Sequence, residues 1–159
     1  MLRLLWISVV VIALDQLTKG WASNALDYQV PLVITSFFNI NLAHNTGAAF
    51  SFLNSAGGWQ RWMFIVLAIV VSGLLIQWLR KTGDDEKVQA YGLVLIIGGA
   101  LGNAIDRVIY GHVVDFLQFH YAGYAFPTFN VADSAIFCGA VLLIFEGFRA
   151  EQRQKKAES

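Results

Sequence analysis

Residues 114–133 read Val-Asp-Phe-Leu-Gln-Phe-His-Tyr-Ala-Gly-Tyr-Ala-Phe-Pro-Thr-Phe-Asn-Val-Ala-Asp. The stretch carries Asp115 near one end and Asp133 at the other, and the residues between them are rich in aromatic side chains. His120 is the one histidine between the two aspartates. An apolar run follows directly, from Val131 onwards. Two carboxylates therefore bracket the point where the chain is expected to enter a membrane.

The composition of the whole chain also indicates a bilayer. Hydrophobic residues make up 57% and charged residues 14% of the 159 residues, against roughly 45–50% and 25% in soluble domains. The net charge is zero, so nothing in the overall electrostatics predicts a nucleic-acid partner. The single cysteine, Cys138, excludes an intrachain disulfide and a multi-cysteine metal site, and we interpret it as a small buried hydrophobic residue.

Four apolar runs are long enough to be membrane-spanning helices, since about 20 residues cross a hydrocarbon core of roughly 30 Å. They cover approximately residues 3–23, 59–79, 88–109 and 131–149. The first run has a basic start, as a cleavable signal peptide would. Its interruption by Asp15 and Lys19 favours an uncleaved helix instead.

Residues 28–52 have a different pattern, rich in β-branched and aromatic residues, with Pro31 opposing a continuous helix. They predict short strands outside the hydrocarbon. The expected fold class is therefore a mainly α membrane protein, a single domain over residues 1–159. It has four transmembrane helices and a small extracytoplasmic β-sheet platform between the first and second helices. Within the third helix, the spacing of Gly98 and Gly102 is typical of close helix packing.

The distribution of basic residues predicts the orientation in the membrane. Both termini are expected in the cytoplasm, because loops on that side carry an excess of Lys and Arg. With this topology, one side holds eight basic residues: Arg3, Arg80, Lys81, Lys87, Arg149, Arg153, Lys155 and Lys156. The outer side holds three: Lys19, Arg61 and Arg107. The intramembrane polar residues then gather near the outer face.

Four carboxylates and two cations share that outer level, namely Asp15, Asp106, Asp115, Asp133, Lys19 and Arg107. A charge in the hydrocarbon costs at least about 2.5–3.5 kcal/mol, so such groups usually pair or serve a function. Sequence proximity predicts pairing of Asp15 with Lys19 and of Asp106 with Arg107. Asp115 and Asp133 are left without a base, and two adjacent unpaired carboxylates share a proton. This is the state that an acid/base pair needs to activate water.

Five blocks of sequence, taken in order, resemble the motifs of the bacterial lipoprotein signal peptidases, the signal peptidase II family. The blocks are Asp15-Gln-Leu-Thr-Lys19, Asn41-Leu-Ala-His-Asn-Thr-Gly-Ala-Ala-Phe-Ser-Phe52, Gly98-Gly-Ala-Leu-Gly-Asn-Ala-Ile-Asp-Arg107, Val114-Asp-Phe116 and Phe129-Asn-Val-Ala-Asp133. The resemblance extends over nearly the whole chain. It implies an aspartyl endopeptidase of the bacterial inner membrane, with its active site at the extracytoplasmic face.

The resemblance also implies the substrate and the site. The substrate would be a prolipoprotein, cleaved on the amino side of its diacylglyceryl-modified cysteine, and membrane lipid would be the other partner. Asp115 and Asp133 would be the catalytic pair. The residues that line or support the site would be Asp15, Lys19, Asn45, Gly47, Asn103, Arg107, Asn130 and Ala132. We expect no metal and no other cofactor, because the histidines lack a paired ligand spacing, and a monomer would suffice because both carboxylates belong to one chain.

Other interpretations of the same residues remain open at this point. Intramembrane acids with basic neighbours also mark proton-coupled transporters, and a non-enzymatic assembly scaffold is a third class. Asp133 near the start of a helix could serve as a cap, Arg107 could be an interfacial residue, and Asn45 and Gly47 could form an ordinary turn. The aromatic residues 116–129 could form a wall or lid over a lipid-bearing substrate.

Overall fold

The computed structural model describes residues 1–47 and 57–157. Within these residues the chain forms four long α-helices: α1 (Leu5–Ala25), α2 (Trp59–Lys81), α3 (Lys87–Ile109) and α4 (Val131–Ala157). A short 3-10 helix, Leu2–Leu4, precedes α1. Each predicted helix is present within a few residues of its expected limits, except that α4 continues past residue 149. The last residues of the second motif block, 48–52, lie outside the described part of the chain.

Three of these helices have the length and apolar composition to cross a membrane: α2, α3 and residues Val131–Arg153 of α4. α1 is a fourth long helix. Unlike a helix of a soluble protein, it exposes apolar residues and buries charged ones. Many of its large apolar side chains point outwards, with Trp6 61% and Leu17 71% exposed, whereas Asp15 and Lys19 are buried. Lipid is the solvent that such a surface suits.

α3 lies at the centre of the helices and packs against each of the other three. The most apolar 18-residue stretch of α3 is 56% buried, whereas the corresponding stretches of α2 and α4 are each 17% buried. Glycines allow this packing, because a Cβ atom on Gly98 would lie 2.8 Å from Cβ of Val11 on α1. A Cβ atom on Gly99 would collide with the carbonyl oxygen of Ala132 on α4. The predicted close helix packing at this motif is confirmed.

The sheet has four antiparallel strands in the order β1 (Leu32–Val33), β2 (Phe38–Asn45), β3 (Val113–Tyr121) and β4 (Tyr124–Ala125). The first two strands lie between α1 and α2, as predicted. The other two lie between α3 and α4 and were not predicted, so the sheet is larger than the platform expected between the first two helices.

The missed hairpin has a clear local cause. Ala122 and Gly123 both have positive φ, 48° and 84°, between the paired residues Tyr121 and Tyr124. Two positive φ angles in a two-residue loop define the type I′ turn, which matches the twist of adjacent strands. The aromatic residues that were interpreted as a wall or lid therefore begin as a regular strand.

The two faces of β3 have different roles. Val114 and Phe116 are buried on one face, in a cluster with Ala22 of α1 and Leu42 of β2. Side chains alternate along a strand, so Asp115 points to the opposite face. Burial of two apolar neighbours against α1 therefore determines where the carboxylate of Asp115 lies.

Candidate active site

A cluster of buried charged side chains joins α1 to α3. The Lys19 ammonium lies 2.7 Å from Oδ2 of Asp15 and 2.9 Å from Oδ2 of Asp106, and all three side chains are at most 3% exposed. Asp15 and Lys19 stand four residues apart, so they share one face of α1. The predicted Asp15–Lys19 pair is confirmed.

The predicted pairing of Asp106 with Arg107 was wrong, because Asp106 pairs with Lys19. Consecutive residues of a helix do not face each other, so sequence adjacency was a poor guide. Arg107 instead donates from Nη2 to the carbonyl oxygen of Gly47 at 2.7 Å and from Nη1 to that of Asn103 at 3.3 Å. Its guanidinium also lies over the ring of Phe64, 4.8 Å from the centroid.

The two buried acids also bind backbone N–H groups at the starts of other elements. Oδ1 of Asp15 accepts from the N–H of Ala132 at 2.9 Å, and Oδ2 of Asp106 accepts from the N–H of Val114 at 3.0 Å. Ala132 directly precedes Asp133, and Val114 directly precedes Asp115. Each member of the predicted catalytic pair is therefore attached through its neighbour to the ion cluster.

Asp133 takes part in a capping box at the start of α4. The N–H of Asp133 donates to Oδ1 of Asn130 at 2.8 Å, and the N–H of Asn130 donates to Oδ2 of Asp133 at 3.3 Å. This reciprocal arrangement satisfies two N–H groups that a helix start leaves free. Oδ1 of Asp133 accepts from Nδ2 of Asn103 at 2.7 Å. The capping interpretation of Asp133 thus holds structurally, and it leaves the carboxylate bound by neutral donors.

Asp115 is 1% exposed and is bound by two side-chain amides. Nδ2 of Asn130 donates to its Oδ1 at 2.7 Å, and Nδ2 of Asn45 donates to its Oδ2 at 3.3 Å. Burial, and secondarily the charge of Asp133, raise the pKa of Asp115 to about 7, although the two amides and Lys19 act in the opposite direction. Its carboxyl group therefore exchanges protons near neutral pH.

Both aspartates line one cavity of about 1150 Å³. Asn45, Asn103 and Arg107 add polar groups to its wall. Phe119, Phe126, Phe129, Ile136, Phe137 and Ala140 contribute apolar surface from the sheet, the loop before α4 and α4 itself. Cys138 is exposed and lies on this wall, so the prediction that it is buried was wrong. A helix with a lipid-facing side exposes apolar residues, and hydrophobicity alone does not predict their burial.

The ten residues predicted for the site lie in one connected network. Its remaining link is the N–H of Gly47, which donates to Oδ1 of Asn45 at 3.0 Å. Sequence reasoning missed Gln16, whose Nε2 donates to Oδ1 of Asp106 at 2.8 Å and lies 3.3 Å from Oδ2 of Asp15. A polar residue within an apolar helix, next to Asp15, was the available signal. In the described ranges, no group of three or more His, Cys, Asp or Glu side chains is arranged to hold a metal ion.

Comparisons with known proteins identify relatives across most of the chain. The family model described as Signal peptidase (SPase) II matches residues 7–149. The lipoprotein signal peptidase of Psychromonas ingrahamii is 50% identical over 151 residues, covering 95% of this chain and 87% of the relative. That of Ralstonia nicotianae is 54% identical over 149 residues, covering 94% and 86%. A solved bacterial membrane enzyme superposes with a TM-score of 0.83 at 33% identity, covering 93% of this chain and 88% of that one.

Proposed function

Because the chain belongs to the signal peptidase II family, we propose that Asp115 and Asp133 are the aspartate pair with which it hydrolyses its substrate. The activity of the family is removal of signal peptides from prolipoproteins, and this chain is a peptidase of that kind. The proton-coupled transporter considered from the sequence receives no support from the family model or from the relatives.

One observation carries the assignment of the pair. All four carboxylate oxygens of Asp115 and Asp133 accept hydrogen bonds from neutral amide or backbone donors, while Lys19 is bound to Asp15 and Asp106. Asn130 contacts both carboxylates and so links them. Asp115 is buried and Asp133 is half-buried, and among the described residues neither forms an ion pair. Two such acids that face one cavity hold fewer than two negative charges between them. A shared proton is what hydrolysis by an acid/base pair requires.

The environments of the two acids support different roles. Asp133 lies in the first turn of α4, at the positive end of the helix dipole, and its Oδ2 accepts a hydrogen bond from the N–H of Asn130. Asp115 lies on a strand, and burial raises its pKa to about 7. We assign Asp133 as the base and Asp115 as the protonated acid of the resting enzyme.

The proposed reaction then proceeds in two steps. Asp133 accepts a proton from water as the oxygen of that water bonds to the scissile carbonyl carbon, and Asp115 donates its proton to the carbonyl oxygen. In the second step the C–N bond breaks, Asp133 returns its proton to the leaving amine, and Asp115 recovers a proton from the hydroxyl that becomes the new carbonyl. Both acids finish in their starting states.

The cavity suits a substrate that is part peptide and part lipid. Its polar end holds the two aspartates and Arg107, and its apolar wall continues along α4 through Phe137. We propose that the scissile bond precedes a diacylglyceryl-modified cysteine, that the polar end binds the peptide and that the apolar wall accommodates acyl chains. Asn45, Asn103 and Asn130 would hold the aspartates, with Asp15, Lys19, Gly47, Arg107 and Ala132 in support.

The membrane arrangement that we propose has four spans, α1 being the fourth. The chain resides in the bacterial inner membrane with both termini in the cytoplasm and with the sheet and cavity at the extracytoplasmic face. Two facts support this arrangement: the excess of basic residues at one end, and the position of the sheet beyond the ends of α1 and α3 and the starts of α2 and α4. One chain contributes both aspartates, so a monomer is sufficient.

The test is cleavage of a purified diacylglyceryl-modified precursor by Asp115→Asn and Asp133→Asn. Each variant is expected to accumulate in the membrane and to lose at least a thousandfold in kcat, because a neutral amide can neither accept the proton from water nor donate one as a carboxylic acid does. Asp84→Asn, in the exposed loop between α2 and α3, is the matched control and should cleave normally. Near-normal cleavage by either site variant would remove that aspartate from the pair.

A further inference from the structure

Lys19 occupies a position that its pairing with Asp15 alone does not explain. An ammonium group has three N–H donors, and three acceptors surround this one: Oδ2 of Asp15 at 2.7 Å, Oδ2 of Asp106 at 2.9 Å and Oδ1 of Asn103 at 2.9 Å. Its donors are therefore fully used, and Lys19 is 3% exposed.

Each of the three acceptors leads to the aspartate pair by one further contact. Asp15 binds the N–H of Ala132, directly before Asp133. Asp106 binds the N–H of Val114, directly before Asp115. Asn103 donates to Asp133 itself. Lys19 is therefore connected to Asp133 through Asn103 on α3 and through Ala132 at the start of α4. It is connected to Asp115 through Val114 on β3.

The contact with Asn103 also determines which way its amide faces. An ammonium can only donate, so the atom of Asn103 that it contacts must be the oxygen, and the NH₂ group then faces Asp133. Asn130 reaches the same oxygen at 3.1 Å, but its NH₂ group also contacts Asp115 at 2.7 Å and the carbonyl of Val114 at 3.3 Å. Two amide protons serve three acceptors there, so Lys19 is the stronger restraint on Asn103.

We propose that Lys19 is a positioning residue for the reaction, which places both catalytic aspartates through Asp15 and Asp106 and aims the NH₂ group of Asn103 at Asp133. This inference rests on the proposed roles of Asp115 and Asp133. Without Lys19, only the shared NH₂ group of Asn130 holds the oxygen of Asn103. The amide can then rotate and present its oxygen to a carboxylate, which disfavours the ionised base. Lys19 is not among the described residues that line the cavity, so it acts through Asp15, Asp106 and Asn103.

The test compares Lys19→Met with Leu17→Met on the same helix. Leu17 is 71% exposed, so its replacement adds the same side chain outside the ion cluster. Lys19→Met is expected to lower kcat at least tenfold at pH 7 while KM changes less than twofold. It should also move the acid limb of the kcat–pH profile upwards by about one pH unit, the size of effect that a nearby charge or donor has. Leu17→Met should leave kcat and the acid limb in place.

A second variant separates the hydrogen bond from the charge. Lys19→Met combined with Asp106→Asn removes one charge of each sign, so the net charge of the buried cluster stays the same. Asn103 nevertheless loses its hydrogen bond from Lys19. We expect the acid limb to remain shifted by at least half a pH unit. A wild-type profile and kcat in the double variant would overturn the proposal. So would the failure of both variants to fold, because Lys19 would then belong to the fold and not to the positioning of the pair.

The outcomes also separate this inference from the assignment of the pair. If Asp115→Asn and Asp133→Asn are inactive while the Lys19 variants cleave with normal pH dependence, the positioning role alone is wrong. If either aspartate variant remains active, the assignment of the pair fails first, irrespective of Lys19.

Discussion

Replacing Asp115 by Asn should make the protein more stable at alkaline pH as well as inactive. The folded-state pKa of Asp115 is about 7, above its ordinary value of 3.8. Between these two values the folded chain holds a proton that the unfolded chain has released. The free energy of unfolding therefore decreases as the pH rises through this window, and the full penalty is present above pH 7. At about 1.36 kcal/mol per pH unit, the penalty is on the order of 4 kcal/mol.

An asparagine at this position carries no ionisation penalty, but it cannot keep both hydrogen bonds. One of its two polar atoms becomes a donor that faces the NH₂ group of Asn130 or Asn45, which costs about 1 kcal/mol. The net stabilisation at pH 8 is then about 3 kcal/mol. Since about 2–4 °C corresponds to 1 kcal/mol for a chain of this length, Tm should rise by roughly 6–12 °C. At pH 5 only about 1.6 kcal/mol of the penalty has developed, so the gain should shrink to less than 1 kcal/mol.

The assay is thermal unfolding of purified protein in detergent at pH 5 and pH 8, for the wild type and for Asp115→Asn. Asp84→Asn, with an exposed carboxylate, should change Tm by little at either pH. The reasoning is refuted if Asp115→Asn changes Tm equally at the two pH values, or if it destabilises the protein at pH 8. A confirmed gain would mean that the ionised form of Asp115 lowers the stability of the folded protein, which is a cost of its proposed catalytic role.

Three further outcomes are expected. Gly102→Ala should reduce the amount of folded protein, because the new Cβ would lie 2.8 Å from Oδ2 of Asp15, whereas Gly147→Ala meets nothing within 4 Å and should be tolerated; equal yields of the two variants would contradict the packing argument. Cleavage of purified precursor should continue undiminished after incubation with EDTA, since the proposed pair activates water without a metal, and inhibition reversed by added metal would overturn that mechanism. A reporter enzyme that works only in the cytoplasm should be active when it is fused after Lys156. Activity at that position of a reporter that works only outside the cytoplasm would contradict the proposed topology.

Several features followed from local patterns in the sequence. Long apolar runs predicted the helices within a few residues, because the length needed to cross a bilayer is a property of each segment by itself. The pairing of Asp15 with Lys19 followed from helical spacing, and the strands of residues 28–52 followed from composition. The family resemblance then predicted ten site residues, all of which lie in one network.

Contacts between distant segments could not be read in this way. The predicted partner of Asp106 was its neighbour Arg107, but its cation is Lys19, which lies on another helix. The hairpin of β3 and β4 was missed because its turn has Ala122 at the first position, where Asn or Asp is the usual signal. Cys138 was predicted buried because hydrophobicity does not distinguish a lipid-facing position from a core position.

By itself, the sequence determined that Asp115 and Asp133 have no base beside them in the chain and that the chain carries the motifs of its family, and it predicted that the two aspartates bracket a membrane edge. Only the tertiary structure decided what holds the two carboxylates. Lys19, Asp15 and Asp106 form one buried cluster whose contacts reach the residue before each aspartate, and Asn130 joins the two. The physical reason is that a buried charge is satisfied by whichever donors the fold brings within about 3 Å, and those donors come from three helices and two strands that are far apart in the chain.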